Sequence, residues 1–536
     1  MELNLEIGWI DISVIVVYLI LVVGMGLWAG WTQRRKTSGS SFFLAGRSLS
    51  WPLIGLALFS TNISTIELVS LAEEGYKSGL LYGNLELMAG LALVILAIFF
   101  APFYLRSRVS TLPEFLLKRY NNSTRIFHVV IAMFSAIFIH IGFALFAGAK
   151  VLEGLFDMPM MISITIILAL TGLYTIVGGL KAVVLTEALQ TVILIGGSIV
   201  MTVIGFSNLG GWSGLTENVA PEMLTMLRSA EQAPDMPWFS VFLGYPIIGI
   251  WYFCTDQTIV QRVLGAKDEN HARLGPIFAG FIKLLPLFIF VMPGLIALAL
   301  INQGALPDEI DDTAKTYAFL VGNILPVGVK GVVVAALLAA LMSTVSGALN
   351  SIATVFSFDI YKPLRPDTSE KRLLLVGRIA TLVAILLAIL WAPKISQFES
   401  ILEGNTKMIT YLAPAITAVF LGGVLWKRAS AKGAFITLSV GIVLGAVVFF
   451  LDWFKKSTGW NMSFLLAGFY LFLISASVLI VTSYLYPQKH TAESERLIWK
   501  NPMSALKDSG MKGLLNYKFL SALLLICIIV LYIIFK

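Results

Sequence analysis

The sequence reads as an all-α polytopic membrane protein of about fourteen transmembrane helices with both chain ends facing outward, and three observations lead there. Of its 536 residues, 58% are hydrophobic and only 13% charged, with a strongly positive mean hydropathy; no water-soluble core requires that much apolarity. The apolar residues come in long runs, and a helix needs roughly 20 of them to cross about 30 Å of hydrocarbon. The segments between the runs alternate between basic and acidic or neutral.

Fourteen runs qualify, near 9–31, 50–76, 80–105, 124–152, 158–179, 182–205, 238–260, 274–302, 327–358, 373–395, 406–426, 433–453, 461–484 and 515–535. Little chain is left for a soluble domain. The first run is preceded by Glu2 and Glu6 and contains Asp11; without a basic region before it or a small-residue cleavage site after it, it reads as a retained span and not a signal peptide.

Basic residues gather after most odd-numbered runs: Arg34, Arg35 and Lys36; Arg106, Arg108, Lys118 and Arg119; Arg262, Lys267 and Arg273; Lys362, Arg365, Lys371 and Arg372; Lys427, Arg428 and Lys432. Those loops are expected in the cytoplasm. The loop with Asp308, Glu309, Asp311 and Asp312 belongs on the other side. Membrane orientation thus accounts for the formal charge of +7, and no nucleic-acid partner is needed. Cys254 and Cys527 lie in separate spans and the four histidines are scattered, which argues against a disulfide or a transition-metal site. The sequons at Asn121 and Asn122 fall on the cytoplasmic side, where they are not glycosylated.

Polarity inside the runs is concentrated. In STNISTIELVS, residues 60–70, seven of eleven residues are polar, and at about 100° per residue they point to almost every side of an ideal helix. Inside a bilayer the backbone leaves helical geometry only where protein or a watery cavity satisfies it, so the stretch reads as a broken helix facing a binding cavity. A continuous helix with Ser and Thr bonded back to their own carbonyls is the alternative, but it leaves Glu67 without a partner. In AALMSTVSGALNSIAT, residues 339–354, Ser343, Gly347, Asn350 and Thr354 recur at helical spacing, with Thr344 adjacent. Such neutral hard oxygens suit a small monovalent cation, while small residues also serve close helix packing; both readings stand.

Ionisable groups at membrane depth mark pathways by default. Glu67, Glu86, Glu187 and Lys283 are the candidates. Glu86 and Lys283 are of opposite sign and fit either a structural ion pair or a ligand role, and Glu187 with Lys181 lies near the cytoplasmic mouth, within reach of water. His140 reads as a helix-contact residue. In GIWYFCTDQTIVQR, residues 249–262, Trp251, Tyr252, Phe253, Thr255, Asp256 and Gln257 crowd within one span, offering aromatic faces to a sugar-sized solute or a gate, with tight aromatic packing as the alternative.

These segments resemble the sodium/solute symporter family, most closely its sodium/sugar cotransporter branch. The likeness is carried by SFFLAGRSL at 41–49, NIS at 62–64, TLPEFLLKRY at 111–120, VGGLKAVVLTEALQ at 177–190, TDQTIVQR at 255–262, LPVGVKGVVVAALLAALMST at 325–344, LNSIATVFSFDIYK at 349–362 and WKRASAKGA at 426–434. The resemblance implies a LeuT-like core of two inverted five-helix repeats. Its halves would be residues 50–205 and 238–426, joined by an outer loop at 206–237, with an extra span and cytoplasmic loop at 1–49 and three further spans at 427–536. STNISTIELVS and GIWYFCTDQ would then be symmetry mates, each a hinge.

By position, the resemblance puts sodium on the carbonyls of Ser60, Ile63 and Ala340 and the hydroxyls of Ser343 and Thr344, with Glu187 aiding its exit. It puts solute against Asn62, Glu67, Glu86, Tyr252, Lys283 and Thr406, with Tyr252 as inner gate; on the eleventh span Asn405 or Lys407 are the other candidates. The sugar branch usually has Gln or His where Glu67 stands, and an aromatic-flanked Glu where this chain has Leu85-Glu86-Leu87.

The expected function is sodium-coupled import of a small sugar or polyol across the plasma or inner membrane. The expected partners are that solute and the lipid bilayer, with no obligate protein partner, and sodium is the sole expected cofactor. A carboxylate solute such as sialic acid, an amino acid or a monocarboxylate is the alternative, and a transporter-like sensor a lesser one. An enzyme would need a nucleophile and base or a metal set, and none stands at motif spacing.

Overall fold

The computed structural model describes all residues except 1–6, 34–41, 157, 307–309, 311, 398–400 and 508–509. Glu2, Glu6, Arg34, Arg35, Lys36, Ser41, Asp308, Glu309 and Asp311, named above from the sequence, therefore lie outside the described residues. Where the helices break, the sequence supplies the reason. After α1 (Trp9–Gln33), α2 (Trp51–Asn62) starts with Pro52 in its first turn, where a missing N–H costs nothing. The backbone then leaves the helix at Ile63 (φ −84°, ψ 106°) and Ser64 (φ −101°, ψ 178°) and resumes as α3 (Thr65–Ser78). Ser64 and Glu67 form a reciprocal capping box, so donors freed by the break are satisfied on the spot.

The chain continues through α4 (Gly83–Ile95), α5 (Asn122–Phe134), a π turn at Ser135–Ile141 and α6 (Met160–Leu209). Gly179 (φ 59°, ψ −163°) interrupts α6, and a Cβ there would stand 2.5 Å from the Phe42 carbonyl oxygen; only glycine fits both constraints. α7 (Trp238–Ile250) runs into a π turn at Trp251–Thr255 and stops at Asp256 (φ −81°, ψ 125°), whose carboxylate caps α8 (Gln257–Leu264). α9 (Glu269–Ile282), α10 (Met292–Asn302), α11 (Val329–Val355), α12 (Glu370–Trp391), α13 (Ile401–Leu425), α14 (Ala431–Trp453), α15 (Phe464–Leu485) and α16 (Tyr517–Ile534) follow, with shorter helices between some of them.

Among the described residues, twelve helices are long and apolar enough to cross a membrane. The number differs from the fourteen runs at two places. Met160–Leu209 counts once although Gly179 divides it, and Thr65–Arg106 counts once although it holds α3 and α4, α2 alone being too short.

The two broken helices are packed alike. α2 lies against α9 and α7 against α4, so the first half of each broken helix leans on the helix that comes after the other broken helix. α11 runs through the middle, with 94% of its most apolar window buried inside the protein, against 28% for α1 and 22% for α16. The outer helices instead turn Val16, Ile20 and Trp28 or Ile526, Ile529 and Ile533 outward, as expected where the surrounding medium is hydrocarbon. α1 is nevertheless tied to the centre: Asp11 Oδ1 accepts the amides of Gly328 and Gly331, both at 2.7 Å, at the start of α11.

Three basic residues expected in solvated loops are buried instead: Arg119, Arg262 and Arg273. Arg119 donates to the carbonyls of Gly423 (2.6 Å) and Trp426 (3.1 Å) at the end of α13, where helix carbonyls attract a cation. Arg273 pairs with Glu269 and lies over the Tyr517 ring. Arg262 belongs to the site itself.

Candidate cation and solute site

The polar stripe on α11 faces the two broken helices turn by turn. Ser343 Oγ lies 2.7 Å from the Ser60 carbonyl oxygen and 2.9 Å from that of Ala340. Thr344 Oγ1 lies 3.3 Å from the Thr61 carbonyl oxygen and 3.2 Å from that of Ala340. The Ser60 hydroxyl is buried with no hydrogen-bond partner. Hydroxyls and carbonyls of no net charge thus converge where α2 ends. Of the five residues expected to hold sodium, Ser60, Ala340, Ser343 and Thr344 come together. Ile63, fully buried at the break, returns its amide to Phe59, and Thr61, missed from sequence, adds its carbonyl.

One turn further along α11, Gly347 leaves room for Arg262. A Cβ at Gly347 would stand 2.4 Å from Arg262 Nη2 and 2.9 Å from Thr61 Cγ2. Arg262 and Glu187 form an ion pair in which neither side chain has any exposure, with Nε 3.2 Å from Oε2 and Nη2 on Oε1. Thr61 donates to Glu187 Oε1 at 3.0 Å, and Arg262 also donates to the Thr258 carbonyl. Glu187 is therefore not a solvated residue at the mouth: desolvation has been met by a partner charge and a hydroxyl. Near the end of the stripe, Gln261 Nε2 donates to Thr354 Oγ1 at 2.6 Å, so α8 is tied to α11 over two turns.

Beyond the break lie the residues expected to meet solute. Glu67, expected to need a partner, finds it in Ser64, whose amide (2.8 Å) and hydroxyl both donate to Oε2. Lys283 Nζ sits 2.5 Å from Glu86 Oε2, both side chains nearly inaccessible. The Tyr252 phenol lies next to the Asn62 side chain, within electrostatic reach of Glu67, Glu86 and Asp256. Asn62 Oδ1 is buried with no partner. Asp256 Oδ1 accepts the Thr258 amide at 2.7 Å and Oδ2 lies 3.2 Å from His140 Nε2, so His140 does join two helices, and its ring packs on Tyr252.

The eleventh span packs beside α3, with Ile401, Leu402 and Met408 against the cluster that holds Ile66. Lys407 pairs with Asp452 of α14 at 2.8 Å, and Tyr411 donates to the other carboxylate oxygen at 2.6 Å, which binds the α13 face bearing Lys407 to α14. For Thr406, the structure records its carbonyl accepting the Thr410 hydroxyl. Arg262 was read from the sequence as part of a basic loop and Thr61 as one of many hydroxyls, so neither was expected at the site; the glycine in the polar stripe was the available signal for a bulky neighbour.

An all-helical, membrane-spanning body with two helices broken at mid-depth around buried oxygens and paired charges is that of a secondary transporter. The model of the sodium:solute symporter family matches residues 42–441. The chain belongs to that family, and is a sodium-coupled transporter of the membrane and not an enzyme. It is 35% identical over 539 residues to sodium/glucose cotransporter 4 of Danio rerio, covering 91% of this chain and 80% of that one. It is 36% identical to sodium/myo-inositol cotransporter 2 of Bos taurus, covering 84% and 71%. Among solved structures, a Na+-coupled sialic acid symporter superposes with a TM-score of 0.79 over 91% of this chain and all of that one, at 22% identity. At that identity the likeness speaks for the fold, which is LeuT-like.

Proposed function

We propose that the protein imports a small uncharged sugar or polyol together with sodium by alternating access. The residues 50–205 and 238–426 serve as the two inverted halves, and both chain ends face outward. Sodium is held by the carbonyls of Ser60, Ile63, Thr61 and Ala340 and the hydroxyls of Ser343 and Thr344. Solute is held by Asn62, Glu67, Glu86 and Lys283, with Tyr252 as the gate beneath it.

The observation that carries this reading is the shared break. Ser60 and Thr61 offer carbonyls to the α11 hydroxyls, and Asn62, next in the chain, lies beside Tyr252 and keeps a buried oxygen without a partner. A cation entering among those oxygens takes the carbonyls and turns the two hydroxyl protons outward, which fixes the end of α2 and with it Asn62. Sodium thereby selects the arrangement that solute binds. One charge moving down a potential releases about 2.3 kcal/mol per 100 mV, available to draw solute inward. Relatives named for glucose and myo-inositol transport support the solute class.

The test is uptake of labelled glucose, galactose and myo-inositol into proteoliposomes with and without an inward sodium gradient. Uptake that needs the gradient and disappears in Ser343→Ala/Thr344→Ala is expected. Undiminished uptake by that double variant would remove this site from the mechanism.

A further inference from the structure

The second halves of the broken helices start at Thr65 and at Gln257, next to the proposed solute residues Asn62, Glu67 and Tyr252. Such ends carry partial positive charge and in this architecture they receive anionic groups of a substrate. Here the chain fills both itself. Glu67 lies in the first turn of α3 and takes two donors from Ser64, the partners that a carboxylate requires. Asp256 caps α8 and pairs with His140. The ammonium of Lys283 is occupied by Glu86. Among the described residues, these positive features near Tyr252 are each matched by a carboxylate of the protein, and the bonds to Glu67 come from the Ser64 amide and hydroxyl. The unpartnered Asn62 Oδ1 adds one more acceptor that calls for a donor.

We infer that this cavity selects solutes by charge: it rejects carboxylate-bearing sugars, and it accepts sugars or polyols bearing an ammonium group at least as well as their neutral parents, with Glu67 as the residue that sets the preference. The inference rests on the solute site proposed above. It concerns only the sign of charge that site tolerates.

The experiment uses three solutes of one skeleton at neutral pH: glucose, glucosamine as the ammonium form and glucuronate as the carboxylate. Each competes against sodium-driven uptake of labelled glucose by the intact protein in proteoliposomes; if myo-inositol is the better substrate, it replaces glucose as the label. Expected is inhibition by glucosamine equal to or stronger than by glucose, and at least about tenfold weaker inhibition by glucuronate.

In Glu67→Gln, which keeps a residue type able to complete the capping box, the ratio of glucosamine to glucuronate potency falls about tenfold. Reading a ratio removes the effect of any change in overall rate, and the wild-type competition decides the question if that variant does not fold. Glucuronate competing as well as glucosamine overturns the charge inference while leaving sugar transport standing. Sodium-dependent uptake of neither neutral solute overturns the transport reading and this one with it.

Discussion

Neutralising Glu187 should cost more than neutralising Glu187 and Arg262 together. The pair has no exposure on either side. Glu187→Gln leaves a buried guanidinium without its counter-charge, though still bonded to the Thr258 carbonyl, and Arg262→Gln leaves a buried carboxylate without its own, though still bonded to the Thr61 hydroxyl. Removing one partner of a buried ion pair costs about 3–5 kcal/mol, mostly the expense of stranding the other charge, while replacing both by neutral groups costs far less. Against a net stability on the order of 5–15 kcal/mol, either single change is large. The assay is a double-substitution cycle on apparent Tm in detergent, read alongside sodium-driven uptake. Each single variant should lose several degrees, and the double variant no more than either single one, which corresponds to a coupling of at least about 3 kcal/mol. Additive losses in the double variant would refute the reasoning, because they would mean that the two charges do not depend on one another.

Other substitutions test neighbouring parts. Ser343→Ala or Thr344→Ala alone removes one hydroxyl, worth about 1–1.5 kcal/mol, so sodium for half-maximal uptake should rise about tenfold while the solute concentration for half-maximal uptake at saturating sodium stays nearly fixed. Gly347→Ala places a Cβ 2.4 Å from Arg262 Nη2 and should abolish uptake, whereas Gly196→Ala, with nothing within 4 Å, should leave uptake unchanged. Asp11→Ala strands the amides of Gly8, Gly328 and Gly331 and should lower apparent Tm by an amount matching about 1–3 kcal/mol. Glu86→Gln should destabilise the protein more than Glu86→Gln/Lys283→Gln does, by the same measurement, since only the single variant leaves an unpaired ammonium.

The helical class was legible because composition and run length act along the chain, and the breaks were legible because polar groups at membrane depth are costly unless a cavity or a partner receives them. Polarity at 60–70 announced the first break; the second, at 249–262, was expected only from the resemblance that makes the two stretches symmetry mates, and nothing there showed that Asp256 caps one helix and reaches His140 on another. The stripe at Ser343, Gly347, Asn350 and Thr354 showed a face but not what it faced. That required tertiary proximity: a residue such as Arg262, written next to a basic loop, could be solvated or could be folded back onto Glu187 seventy-five positions away, and single-sequence patterning does not distinguish the two. The Lys407–Asp452 pair was out of reach of sequence patterning for a similar reason, since Asp452 lies on another span.

Thr61 gives the proposed coupling a physical route. Its carbonyl oxygen lies 3.3 Å from the Thr344 hydroxyl and its own hydroxyl lies 3.0 Å from Glu187, so one residue belongs both to the candidate sodium site and to the ion pair that ties α6 to α8. On the proposed reading, a cation that draws the Thr61 carbonyl towards itself also sets the position of the hydroxyl that steadies Glu187. Linkage is reciprocal: loosening the Glu187–Arg262 pair must then change sodium affinity by the same free energy by which sodium changes the pair. Thr61→Val, which keeps the shape and the carbonyl but removes the hydroxyl, separates the two roles. It should weaken sodium binding in a background with Glu187 intact and have little further effect in Glu187→Gln, measured as the sodium concentration for half-maximal uptake. Equal shifts in both backgrounds would show that Thr61 serves the two sites independently, and the route through it would have to be given up.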